Sequence, residues 1–256
     1  MTADHTHTRS RFTRAFTLLE LLVVIVITSV LATLTFSIAR AARSAATGAH
    51  CTNNLRQLGA AMNLYLADNN NFFPPYVAKG PNGGRQWYFG LETTPSGTPE
   101  GKRKLDPSKG PLYPYIQTVG SVEVCKGFDY GSTLWKPKFK GASYGYGYNW
   151  LLGGRLTGVP QSAAVLAGNN VIVFGDCGQV NTFQPPASAA KPMIEEFYIL
   201  NETDKTVHFR HNGHANMLFM DGHVQSFAPY KGTEDRRSPG QLTGRITPTG
   251  SLQYLQ

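Results

Sequence analysis

The feature that most constrains this chain is a run of about two dozen predominantly apolar residues near its start, FTLLELLVVIVITSVLATLTFSIA over positions 16–39. At 1.5 Å rise per residue such a run makes roughly 36 Å of helix, enough to cross a hydrocarbon layer of about 30 Å with some tilt. Residues 1–14 are polar and carry Arg9, Arg11 and Arg14. That charge bias keeps the leading segment cytoplasmic and sends everything after Arg40 to the far side. A cleaved secretory signal has an apolar core of only about 7 to 15 residues, so this run is too long for one. A single membrane helix with an extracytoplasmic body is the expectation.

Composition narrows the body. Gly 27 and Pro 16 together make roughly a sixth of 256 residues, which predicts a loop-rich domain. Charged residues at 16% are too few, and aromatics at 11% too many, for a mainly disordered chain. Three cysteines cannot staple a miniprotein, and no C-x-x-C pair marks a thiolate zinc site. The formal charge of +8 is spread out rather than clustered, so nucleic acid is not an expected partner.

Glu20 stands out as a carboxylate inside the apolar run, where an acidic group costs on the order of 2 to 3 kcal/mol near a membrane centre and less near its edge. Such a group needs a partner. Ala15 closes the charged leader, Phe16 opens the apolar run, and Glu20 follows one helical turn later. The segment RAFTLLELLVVIVI resembles the N-terminus of type IV pilins and type II secretion pseudopilins. The resemblance implies cleavage between Ala15 and Phe16 by a prepilin peptidase in the inner membrane, which then N-methylates Phe16. Ala at the last leader position departs from the usual Gly. It further implies that the Glu20 carboxylate neutralises the Phe16 amine of a neighbouring subunit as helices pack into a filament. Removing one member of such a dry pair costs on the order of 3 to 5 kcal/mol.

Five regions are expected: a leader over 1–15, an assembly helix over 16–39, an amphipathic continuation over 40–71, a loop-rich antiparallel β domain over 72–230, and a polar, draped or mobile tail over 231–256. In the second helical part Leu55, Leu58, Met62, Tyr65 and Leu66 recur every three or four residues and form one apolar face. Asn69, Asn70, Asn71, Pro74 and Pro75 stop the helix, and Gly48 is a candidate bend. Residues 76–111 read as extended loop. Strands are expected at 121–126, 143–150, 171–176, 195–200 and 206–209. The fold class is therefore α+β: a long N-terminal helix, its first half transmembrane, packed on an antiparallel β-sheet in the manner of pilins.

Residues 209–227, FRHNGHANMLFMDGHVQSF, read as a hairpin with strands Ala215–Met220 and 223–227 joined by a two-residue type I′ turn at Asp221-Gly222. His211 and Asp221-Gly222 also resemble the His-x9-Asp-Gly motif of a group of prepilin-like proteins abundant in planctomycetes and verrucomicrobia. Cys51, Asn54, Leu55, Leu58 and Gly59 are similar to that group's post-membrane helix, and Ser143-Tyr144-Gly145 with Asn149 to its middle segment. The resemblance implies a class and an assembly route, without a reaction.

Four histidines, His208, His211, His214 and His223, fall within sixteen residues. Three-residue spacing alternates faces on a strand, so they do not converge without a bend. The candidate metal ligands are His211 with Asp176 or Asp221, against the alternative of polar surface histidines. Some pseudopilins bind calcium, but no matching acidic cluster is present here. Catalytic motifs are absent: no G-x-S-x-G, H-E-x-x-H, P-loop or dinucleotide fingerprint. Cys177 with His211 is the one conceivable nucleophile pair. Cys51 and Cys125 are candidates for a disulfide closing about 75 residues, worth roughly 4 kcal/mol. Two separate thiols, or a bridge through Cys177, are the alternatives.

The expectation is a non-enzymatic pilin-like or pseudopilin-like subunit without a cofactor, partnered by the prepilin peptidase, by other pilin-like subunits through its helix, and by the inner membrane before assembly. Its domain lies in the periplasm or at the cell surface. The rivals are a membrane-anchored enzyme or metal-binding protein using the motif for export, and an adhesion or DNA-uptake module.

Overall fold

The computed structural model describes residues 17–95, 97–119, 122, 124–141, 145–155, 158–166, 170–201 and 203–249. Ala15, Phe16, Ser143, Tyr144 and the end of the tail from 250 lie outside the described residues. The chain divides into two units, Met1–Arg43 and Ser44–Gln256. Helix α1 (Leu18–Asp68) contributes to both.

In the first unit the stretch Leu18–Phe36 is long and apolar enough to cross a membrane, and its side chains are exposed throughout. Its hydroxyls are turned inward on the helix. Thr28 Oγ1 donates to Val24 O at 2.8 Å, Ser29 Oγ to Ile25 O at 2.5 Å and Thr35 Oγ1 to Leu31 O at 2.9 Å. Each such bond satisfies a polar group without water, as an apolar solvent requires.

In the second unit α1 is amphipathic. Cys51, Leu55, Leu58, Met62 and Leu66 are buried at spacings of four, three, four and four. The helix is continuous through Gly48 and Gly59. A Cβ on Gly59 would stand 3.0 Å from Leu218 Cδ2, so this glycine lets the helix approach the sheet. Past Asp68 the chain leaves the helix through Asn70 and Asn71, both at positive φ, and Asn71 N–H donates to Leu66 O at 2.8 Å. Asparagine tolerates that left-handed conformation and so closes the helix.

Residues 76–111, expected to be loop, hold a small antiparallel sheet of β1 (Ala78–Lys79), β2 (Arg85–Trp87), β3 (Gly90–Glu92) and β4 (Leu105–Asp106) in that order. Strands of two or three residues are too short to show a period of two, which is why the sequence conceals them. A short helix α2 (Tyr113–Val119) follows. Of the segment 121–126, expected to be a strand, the described residues Val122, Val124, Cys125 and Lys126 are not in strand.

The main sheet is built from β5 (Tyr146–Asn149), β6 (Ile172–Asp176), β9 (Ile199–Leu200), β11 (Ala215–Phe219) and β12 (Val224–Phe227). Its order is β12-β11-β6-β5-β9, antiparallel except for the last pair. The architecture is α+β and pilin-like, with β9 making the sheet mixed. The expected strand over 195–200 is split between β8 (Met193–Glu195), which pairs with β7 (Gln179–Asn181), and β9.

The face toward α1 packs Leu55, Leu58 and Met62 with Tyr146, Tyr148, Phe174 and Leu218. The opposite face packs Ile172, Met217 and Phe219 with Phe209 and Ile246. A sheet covered on both sides has no polar face, so β11 is buried at all five positions, its one polar residue Asn216 included. Ile246 belongs to the segment expected to drape or move. Instead β13 (Thr243–Gly244) pairs with β10 (Val207–His208), and Thr233 and Asp235 are buried.

Candidate functional site

Glu20 sits in the first turn of α1. Thr17 N–H and Thr17 Oγ1 donate to Glu20 Oε2 at 2.9 and 2.8 Å, and Glu20 N–H donates to Thr17 Oγ1 at 3.2 Å. This reciprocal pattern is a capping box, with Thr17 as N-cap and Glu20 three residues on. The spacing T-x-x-E is visible in the sequence and was read there only as an assembly signal. Both Thr17 bonds fall on Oε2, and none of the described residues bonds to Oε1.

The second site is buried where β6 ends. Asp176 is fully buried and has both carboxylate oxygens engaged. Arg210 Nη2 and Nε donate to Oδ1 at 2.7 and 3.1 Å, and Asn216 N–H donates to Oδ2 at 2.7 Å. His211 Nε2 lies 3.2 Å from Oδ2. Burial alone would raise the Asp176 pKa, but the Arg210 guanidinium, His211 and the Asn216 amide outweigh it and hold the carboxyl at about 2.

Arg210 is the hub. It also donates to Gly145 O at 2.7 Å and Cys177 O at 3.3 Å, and its guanidinium lies 5.5 Å from the Phe128 ring and 5.8 Å from the Tyr146 ring. One planar cation thus ties together the ends of β5 and β6 and the strand leading to β11.

His211 opens a tight turn. His211 and His214 exchange N–H···O bonds of 3.0 Å, and Asn212 and Gly213 between them have φ of 52° and 78°. That is a two-residue type I′ hairpin, and Asn-Gly is its strongest sequence signal. The turn expected to be of this type, at Asp221-Gly222, is different. Gly222 N–H donates to Phe219 O at 3.0 Å and Phe219 N–H to His223 O at 2.9 Å, with positive φ at Gly222 and not at Asp221. A three-residue loop with a left-handed glycine fits that pattern.

Cys51 and Cys125 form a disulfide with Cα atoms 5.7 Å apart, linking α1 to the segment after α2. His211 Nε2 lies 3.8 Å from Cys125 Sγ. Because the same ring nitrogen faces both Asp176 and Cys125, His211 cannot relay a proton from one to the other as a Cys-His-Asp triad does.

The structure therefore brings His211 together with Asp176, Cys125 and Cys51, and it separates Asp221 from them. Asp221 sits at the exposed hairpin tip beyond β11, where its carboxylate accepts from His223 N–H at 3.0 Å and lies 2.5 Å from His223 Nδ1. His214 is exposed, with Nδ1 3.1 Å from Asn212 O. His208 is buried edge-on to Phe128, and burial with Arg210 nearby pushes its pKa down to about 3. Cys177 is buried, and burial pushes its thiol up to about 12, the opposite of an activated nucleophile. Sequence reasoning missed Arg210, whose partners are distant in the chain. It also missed a second buried network in which Lys136 contacts Glu100 and Glu195 and Lys138 contacts Glu195 at 3.1 Å.

Residues 10–36 match the family model described as the prokaryotic N-terminal methylation motif. No curated protein and no solved structure matches the chain significantly. The motif supports a type IV pilin-like prepilin with an export or assembly role. It implies processing by a prepilin peptidase and association with pilin subunits. The apolar helix beside it is consistent with membrane anchoring.

Proposed function

We propose that this chain is a non-enzymatic, pilin-like or pseudopilin-like structural subunit. Prepilin peptidase cuts it between Ala15 and Phe16, Phe16 is N-methylated, and the helix then assembles with those of other subunits into a filament or secretion apparatus. The observation that carries this reading is the methylation motif over residues 10–36 leading into an exposed apolar helix, Leu18–Phe36. Glu20 Oε1 receives the Phe16 amine of the neighbouring subunit while Oε2 keeps the capping box, so one carboxylate serves both the fold of its own helix and the register of assembly. The leader stays cytoplasmic, and the domain lies in the periplasm or at the surface.

The domain is assigned to the His-x9-Asp-Gly prepilin-like group. The support is that His211 and Asp221-Gly222 frame strand β11, His211 fixing the buried end and Gly222 the turn. In this reading the motif holds the domain together rather than performing chemistry. The test is the mature N-terminus. Mass spectrometry should find N-methylated Phe16 as the first residue, and recovery of only the intact Met1 chain from a host with an active prepilin peptidase would sink the proposal.

A further inference from the structure

The disulfide, His211 and Asp176 form one cluster that the structural role above does not use up. Cys51 Sγ, Cys125 Sγ and a His211 ring nitrogen all lie within 4.8 Å of one another. His211 Nε2 is 3.8 Å from Cys125 Sγ and 3.2 Å from Asp176 Oδ2. Donor atoms around a four-coordinate Zn2+, at about 2.0 to 2.3 Å from the metal, stand about 3.3 to 3.8 Å from each other. The His211 Nε2 to Cys125 Sγ contact already has that spacing, Cys51 Sγ lies within 4.8 Å of the same cluster, and the two sulfurs, covalently joined in this state, must move apart.

The elements that supply the donors are held rigidly. Cys51 is on α1 and fully buried, as is Cys125. His211 is fixed by the Asn212-Gly213 turn and by Asp176, itself held by Arg210 and the Asn216 amide. Gly127 makes room for the ring, since a Cβ there would stand 2.8 Å from His211 Cε1. A divalent cation enters between His211 Nε2 and the sulfurs once these are thiols.

We propose that in its dithiol state this chain binds one divalent cation of the Zn2+ class through Cys51 Sγ, Cys125 Sγ and His211 Nε2, with water in the fourth position. Soft thiolates with an imidazole select zinc over calcium or magnesium. Two thiols lose two protons to the solvent, the His211 proton moves to Nδ1, and two sulfur–metal bonds form. No electron is transferred. Metal binding and disulfide formation are mutually exclusive uses of the same sulfurs, and a chain exported with free thiols has both open to it until it is oxidised.

Cobalt reports on this directly. The full-length protein in detergent, reduced with a phosphine that is then removed anaerobically, is titrated with Co2+. A thiolate-to-cobalt charge-transfer band with tetrahedral d–d bands should saturate at one equivalent, and Zn2+ should displace it. The oxidised protein should give no band. Cys177→Ser should keep the band, the Cys51→Ser, Cys125→Ser double variant should lose it, and His211→Gln should weaken binding by at least about tenfold. Absence of the band in reduced wild-type protein overturns the proposal without relying on any variant. So does its persistence in the double variant, which would assign it to Cys177.

Discussion

Glu20 and Asp176 are both carboxylates set among apolar neighbours, yet Glu20 takes its hydrogen bonds from a residue three positions away and Asp176 from residues 34 and 40 positions away. The local arrangement forms as soon as the helix forms. It occupies one oxygen and, among the described residues, leaves the other open, which fits the proposed exchange of partners during assembly. The long-range arrangement fills both oxygens with a guanidinium, an amide and an imidazole, and exists only when β6, the segment after β10 and β11 have docked. The first carboxylate is held locally, the second by partners from across the domain.

The largest effect that would break this contrast is at the buried site. Asp176→Ala strands the Arg210 charge in a dry interior and should destabilise the domain by about 3 to 5 kcal/mol, read by denaturant unfolding. N-terminal processing should continue. A loss below about 1 kcal/mol would show that Arg210 finds other partners and that the site is not a keystone.

Next is the disulfide, which acts on the same segments through the unfolded chain. It closes a separation of 74 residues, and its reduction without metal should cost roughly 4 kcal/mol in the chain-entropy model. Comparing thermal unfolding of oxidised and reduced protein in chelator checks this.

Acidification separates the two carboxylates' surroundings further. His208 stays neutral in the native state down to about pH 3, whereas in the unfolded chain it takes up a proton near 6.5. Between these values the unfolded state binds more protons, so stability falls as pH falls, by about 3 kcal/mol between pH 6.5 and 4. His208→Phe should flatten that slope in urea titrations at several pH values, while the behaviour of Glu20 should not enter it.

Glu20→Ala should leave domain stability within about 0.5 kcal/mol and remove about 1 kcal/mol from the start of the helix. Cleavage before Phe16 should persist while filament recovery falls, scored by sedimentation of assembled material. Loss of cleavage would tie Glu20 to processing instead. The smallest effect is expected at the exposed pair of Asp221 and His223, where Asp221→Asn should cost under about 1 kcal/mol.

Legibility followed sequence distance. The apolar run, the helical stripe from Leu55 to Leu66 and the strand Ile172–Asp176 were readable because their periodicity or composition is contiguous. The small sheet β1–β4 was not, since its strands are too short for a pattern. The β11–β12 hairpin was expected at the right turn but with the wrong geometry: Asp221-Gly222 lies in a three-residue loop, and the type I′ turn falls at Asn212-Gly213. His211 and Asp176 were singled out together, but Asp221 was offered equally, and Arg210 was overlooked because an isolated arginine in a loop looks like surface.

The sequence by itself therefore determines what is decided within a few residues: an apolar helix with its T-x-x-E cap, a methylation motif, and a stripe that needs a sheet. The tertiary structure alone decided which carboxylate is buried, which arginine neutralises it, and that a histidine stands against both that carboxylate and a disulfide. The physical reason is that these groups come from separate segments around residues 51, 125, 176 and 210. Their meeting depends on packing both faces of the sheet, an outcome of the whole chain's burial rather than of any local preference.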